Sequence, residues 1–135
     1  MALIDWSDEM SVGVKEIDAQ HQKLVKLINE LNEAMSEGKS KQVLGDILDE
    51  LIEYTDTHFS TEENYMSEFD FDGLEEHKRA HAGFVKKVTD FQSKFEEGKL
   101  LLSVKVMNFL KDWLTDHIAG MDQKYSECFL EHGLS

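Results

Sequence analysis

Six histidines, His21, His58, His77, His81, His117 and His132, are the side chains best suited to chemistry in this 135-residue chain. The first five fall on apolar stripes of helical spacing, the faces that must point inward. A buried imidazole without partners costs about 1–3 kcal/mol. A single core histidine is ordinarily satisfied by a carbonyl or a hydroxyl. Five of them without a common partner would cost as much as the whole stability of a domain. A bound metal is the economical partner, and two carboxylates share the same faces. His58 and Glu62 are one helical turn apart, as are His77 and His81. His117 and Asp122 are five apart and are expected to face the same side. Asp is the shorter carboxylate, so its helix must run close to the metal. His21 adds one ligand from the first helix.

Seven ligands exceed the needs of one ion. Shared between two ions, with both carboxylates bridging and an oxide or hydroxide between them, they fill eleven of the twelve positions of two octahedra. One position stays open for a small ligand. Nitrogen-rich octahedral sites with a vacancy suit iron, whereas zinc prefers four ligands. The expected cofactor is therefore a pair of oxo- or hydroxo-bridged irons on His21, His58, Glu62, His77, His81, His117 and Asp122.

Four helices must position these groups. The apolar period predicts helices over about 18–37, 41–65, 74–97 and 100–130, with Asp18 as the first N-cap and Gly38 and Gly98 as stops. The fold class is all-α: an antiparallel up-down-up-down four-helix bundle, preceded by an arm over residues 1–17 whose apolar side chains pack along it. Residues 1–135 are read as one domain. His21 and His77 sit near helix starts, His58 near a helix end and His117 past the middle of the longer fourth helix, so antiparallel packing brings all seven groups to one height. Phe69 and Phe71, in the break over 66–73, are expected to fold back on the core.

Composition narrows the function. The net charge of −14 repels phosphate-rich partners, so nucleic acid is not expected. The chain has no proline, which leaves long helices uninterrupted. No apolar run is long enough to span a membrane, and the first ten residues lack the basic start of a signal peptide. The expectation is a cytoplasmic protein. Its one cysteine, Cys128, allows no internal disulfide and is read as packing.

The chain resembles the hemerythrins, and among them the single-domain bacterial ones. The resemblance is carried by Val14-Lys15-Glu16-Ile17-Asp18-Ala19-Gln20-His21, by His58-x-x-x-Glu62, by His77-x-x-x-His81 and by Trp113-Leu114-x-x-His117-Ile118-x-x-x-Asp122. It extends from Trp6 to about Tyr125. It implies that His77, His81 and His117 hold a coordinatively full iron, that His21 and His58 hold the iron with the open position, and that Glu62 and Asp122 bridge the two. It also implies reversible dioxygen binding, in which electrons from both irons and the bridge proton move to the gas and return on release. Leu24, Phe59, Trp113 and Ile118 are candidate pocket-lining residues, and Gly120 is a candidate for making space beside the metals. His132 lies outside the pattern.

The implied protein is an oxygen carrier, store or delivery protein, monomeric, with dioxygen as ligand and an oxygen-using enzyme as a conceivable recipient. The alternatives are an oxygen- or nitric-oxide-sensing module and a di-iron oxidase or peroxidase. The Glu-x-x-His repeats of carboxylate-rich di-iron oxidases do not occur in the sequence.

Overall fold

The computed structural model describes residues 4–39, 41–98 and 104–134. Among these the regular elements are helical. A 3₁₀ turn, Asp8–Met10, lies in the arm and is followed by α1 (Lys15–Ser36), α2 (Lys41–Glu68) and α3 (Leu74–Glu96). The fourth rod consists of α4 (Val104–Asp116), a π-helical turn (His117–Met121) and α5 (Gln123–Glu131). The expected all-α bundle is the observed architecture. The first three arm residues and the start of the fourth helix near residue 100 lie outside the described residues.

Helix α1 begins three residues before the expected start, and Asp18 does not cap it. Val14 occupies the N-cap position, and Asp18 lies in the first turns. Its carboxylate serves the arm instead, accepting from Val12 N–H at 2.9 Å and from the Ser11 hydroxyl at 2.5 Å. The arm is pinned further by Asn29, which exchanges two 2.9 Å hydrogen bonds with the backbone of Ile4. At its far end α1 stops where Gly38 turns left-handed (φ +68°), letting Lys39 N–H bond back to Ala34 O at 3.0 Å.

Helix α2 runs past the expected end to Glu68, because Met66 is fully buried and holds the last turn against the core. Asp70 then adopts the left-handed conformation (φ 52°) and Phe71 N–H bonds to Met66 O at 2.9 Å. This is a helix stop of the kind glycine usually makes, filled here by the residue type that best tolerates it after glycine and asparagine.

The core is divided. A larger apolar cluster includes Leu24, Phe59, Phe84, Leu114 and Ile118. A smaller one includes Ile17, Met66, Tyr125 and Phe129, with Phe69, Phe71 and Leu74 packed on it. Phe69 and Phe71 thus fold back as expected. On every rod, the polar residues of interest lie in sequence between a member of one cluster and a member of the other. His21 lies between Ile17 and Leu24, and His58 and Glu62 lie around Phe59 and before Met66. His77 and His81 lie between Leu74 and Phe84, and His117 and Asp122 between Leu114 and Tyr125. They form a polar layer between two apolar blocks.

Candidate metal centre

Each rod brings its donors into the layer by a different local device. On α2, His58 and Glu62 share a face through the ordinary four-residue spacing. On α3, His77 and His81 do the same, their ring centroids 5.5 Å apart. The fourth rod differs. In an α-helix, residues five apart are rotated by roughly 140° from alignment, so His117 and Asp122 would diverge. The π turn corrects this: Asp122 N–H bonds to His117 O at 2.8 Å, one residue further back than in an α-helix. The spacing alone does not align the two groups, as the sequence reading assumed; the widened turn does.

All seven side chains are 6% exposed or less. Each of the five histidines among them turns Nε2 inward toward a carboxylate. Asp122 Oδ1 lies 3.0 Å from both His77 and His117, and Asp122 Oδ2 lies 3.0 Å from His21. Glu62 Oε1 lies 2.9 Å from His58 and 3.6 Å from His81. His81 Nε2 and His117 Nε2 face each other at 3.0 Å. Two sets of donors converge, each with its donor atoms within 4.8 Å of one another: His77, His81, His117 and Asp122, and His21, His58, Glu62 and Asp122. Asp122 belongs to both sets.

Hydrogen bonding, as between His77 Nε2 and Asp122 Oδ1 or His81 Nε2 and His117 Nε2, accounts for only part of this packing. His21 Nδ1 and Nε2, Glu62 Oε1 and Asp122 Oδ2 are buried with no hydrogen-bond partner. The neighbours of the last three lie 2.9–3.8 Å away but outside hydrogen-bonding geometry, so these atoms are crowded without being paired. Ligands about 2.1 Å from one ion and at right angles lie about 3 Å apart, the spacing that recurs among these contacts. The donor set therefore fits a pair of cations, and cations would satisfy the atoms that the protein leaves without partners.

The charges agree with this. Burial and Asp122 push the Glu62 carboxyl up, but His58 and His21 more than offset them and hold it at about 2. Burial pushes Asp122 up, but the close approach of His117, His21 and His77 outweighs it and holds the carboxyl well below the usual carboxylate range. Both are anions at neutral pH. Burial pulls His21 down, yet Asp122 and Glu62 override it and raise the ring to about 9. Without metal, that proton is what the two carboxylates attract. Burial lowers His81, with Glu62 and Glu63 only partly opposing it.

Around these donors lie groups that the sequence reading missed. Gln20 Oε1 accepts from His58 Nδ1 at 2.7 Å, and Glu63 Oε2 accepts from His81 Nδ1 at 2.8 Å. Each places the imidazole proton on the outer nitrogen and frees Nε2. Both residues are chain neighbours of donors and so point away from their own donor; they reach the histidine of the adjacent helix. The Tyr125 hydroxyl donates to Glu62 Oε2. Burial, Glu62 and Asp122 raise this phenol well above its ordinary value, so it remains a donor. A buried phenol three residues after Asp122 must find an acceptor, and that signal was legible.

Of the candidate pocket residues, Phe59 stacks on His81 at 3.7 Å and Trp113 stacks on His117 at 4.5 Å. Phe59 also lies 5.9 Å from His58. Leu24 and Ile118 are buried in the larger apolar cluster. Gly120 does not make room at the metals: it is exposed, and a Cβ there would meet no heavy atom within 4 Å. His132 stands apart, stacked on Phe69 at 4.4 Å.

The family of the hemerythrin HHE cation binding domain matches residues 12–128. This chain belongs to the hemerythrin family. Among hemerythrin relatives, the bacteriohemerythrin of Stenotrophomonas maltophilia is 33% identical over 132 residues, covering 98% of this chain and 85% of that one. The bacteriohemerythrin of Methylococcus capsulatus is 32% identical over 129 residues, covering 95% and 98%. The myohemerythrin of Riftia pachyptila is 31% identical, covering 89% and 88%. A wild-type hemerythrin crystal structure superposes with a TM-score of 0.90 at 31% identity, covering 94% of this chain and 98% of that one. The hemerythrin bundle is thus shared over almost the whole length.

Proposed function

We propose that this hemerythrin binds dioxygen reversibly at a pair of irons held by His21, His58, Glu62, His77, His81, His117 and Asp122. The observation that carries the reading is the buried layer of seven converging donors, in which His21 Nδ1 and Nε2, Glu62 Oε1 and Asp122 Oδ2 have no hydrogen-bond partner. Irons held by these residues would supply the electrons that dioxygen takes up on binding.

The protein's own groups do the rest. Gln20 and Glu63 keep His58 and His81 in the tautomer that presents Nε2. Tyr125 holds Glu62 by donating to the oxygen that His58 does not approach most closely. Phe59 and Trp113 lie flat on His81 and His117 and keep water from that side of the layer. The apolar blocks above and below make a dry, low-dielectric site, which slows loss of a charged oxygen species to solvent.

The reading is a carrier and not an enzyme, and it treats residues 1–135 as one domain acting as a monomer in the cytoplasm. Among the described residues no helix is long and apolar enough to cross a membrane. The test is to load the full chain with iron, reduce it and follow oxygen uptake with excess reductant. Uptake that stops near one dioxygen per iron pair, with a haem-free absorption band that vanishes when oxygen is removed, is the expected result. Continuing uptake would replace the carrier with an oxidase.

A further inference from the structure

Two histidines of the layer give their outer nitrogens to side chains of different charge. His81 Nδ1 donates to Glu63 Oε2 at 2.8 Å, and His58 Nδ1 donates to Gln20 Oε1 at 2.7 Å. The bonds are alike in length, so charge is what distinguishes them. A carboxylate on the outer nitrogen makes an imidazole more basic at the inner one, and a neutral amide does so much less. The two bonds also lie on different sides of the layer. His81 converges with His77, His117 and Asp122, and His58 with His21, Glu62 and Asp122. Glu63 is only 27% exposed, so solvent screens its charge incompletely.

We propose that Glu63 is a potential-setting residue: its charged hydrogen bond to His81 makes the metal on the His77, His81 and His117 side easier to oxidise than the metal on the His21 and His58 side, where Gln20 keeps the matching bond neutral. The inference rests on the metal-binding reading above. Its consequence is an ordered loss of electrons. When an external one-electron oxidant takes a single electron from the reduced pair, that electron leaves the iron on the Glu63 side. The iron beside His21 and His58 stays ferrous longer.

The test uses the full iron-loaded chain and two opposed substitutions. Glu63→Gln removes the charge and keeps the shape, and Gln20→Glu adds a charge on the other side. Potentiometric titration, followed by the EPR signal of the one-electron-oxidised state, reads both midpoints. A tenfold loss of preference for the ferric ion, the lower end of what outer-shell partners contribute, raises the first midpoint by about 59 mV in Glu63→Gln. Gln20→Glu should lower the second midpoint by a similar amount and narrow the gap. Glu63→Asp, which keeps the charge, should restore part of the shift. A second readout needs no iron: titrated with cobalt(II), metal-free Glu63→Gln should lose about tenfold in affinity at one of its two sites and little at the other. Unmoved midpoints in both opposed variants, with two irons still bound, would overturn the inference, because a purely structural Glu63 alters stability and leaves the potentials alone. Fewer than two irons in the unmodified chain would instead overturn the metal reading beneath it.

Discussion

Stripped of metal, the protein should lose stability as pH rises from about 6.5 to about 9. The perturbation is the deprotonation of His21. Burial opposes its charge, but Asp122 Oδ2 at 3.0 Å and Glu62 Oε2 at 3.8 Å hold the folded ring at about 9, against an ordinary 6.5. A group whose folded pKa is raised contributes fully below its unfolded value, and the contribution disappears as pH climbs through the folded one. The difference corresponds to about 3 kcal/mol, a large share of the 5–15 kcal/mol available to a domain. Glu62 works in the opposite direction: held at about 2 against 4.5, it contributes above about pH 4.5 and loses that contribution as pH falls toward 2. The metal-free protein should therefore be most stable between about pH 4.5 and about pH 6.5. Urea unfolding of chelator-treated protein, followed by helical circular dichroism, measures it. With a urea slope of about 1–3 kcal/mol per molar, the midpoint should drop by roughly 1–3 M across the alkaline limb. Metal-loaded protein should show the reverse trend, because protons compete with metal for imidazole. A metal-free midpoint that stays level or rises between about pH 6.5 and about pH 9 would refute the placement of a shared proton at His21.

Tyr125→Phe should destabilise the metal-free protein by about 1–3 kcal/mol, because it leaves buried Glu62 Oε2 without its donor. The ring's stacking on Phe129 at 4.3 Å is kept, so a loss under about 0.5 kcal/mol in chemical denaturation would mean the hydroxyl bond has no weight. His58→Ala and His117→Ala should each bring the iron content below two per chain and lower the stability of the loaded bundle; full iron in both, by metal analysis, contradicts the ligand assignment. Gly120→Ala should raise stability by about 0.4–1 kcal/mol and leave oxygen binding and release rates unchanged, since the position is exposed and not left-handed. Slower or faster release would return Gly120 to the oxygen site.

The bundle was legible because its signals are local and redundant. Apolar stripes mark the inner faces, and Gly38 and Gly98 turn left-handed where the stripes stop. That the seven side chains converge was legible because histidine and carboxylate are rare on such faces. The contradictions lie where one residue type can serve two ends. Asp18 is a good N-cap by type, but the chain before it is held close enough for its carboxylate to fasten the arm. The end of α2 was set by burial of Met66 and by a left-handed Asp70, and neither shows in a glycine-based stop rule. Gln20 and Glu63 escaped because their partners lie across an interhelical seam, and a single-helix projection places them off the site.

The layer also shows two ways to bring a histidine and a carboxylate from one rod to one point. On α2 the helix stays regular and the longer glutamate reaches back one turn from Glu62 to His58, at 2.9 Å. On the fourth rod the carboxylate is a shorter aspartate, and the backbone changes instead. The π turn adds one residue between His117 and Asp122, and Asp122 then meets His77 and His117 through one oxygen and His21 through the other. Such turns are rare and concentrate at functional sites because they give up regular helical bonding. Past the turn, Tyr125 and Phe129 resume four-residue spacing and face the smaller cluster, so the irregularity is confined to the donors. Gly120 lies inside the turn, but a Cβ there would have free space. What requires the wide turn is the position of Asp122 between histidines of three helices, and glycine only makes it easier to form.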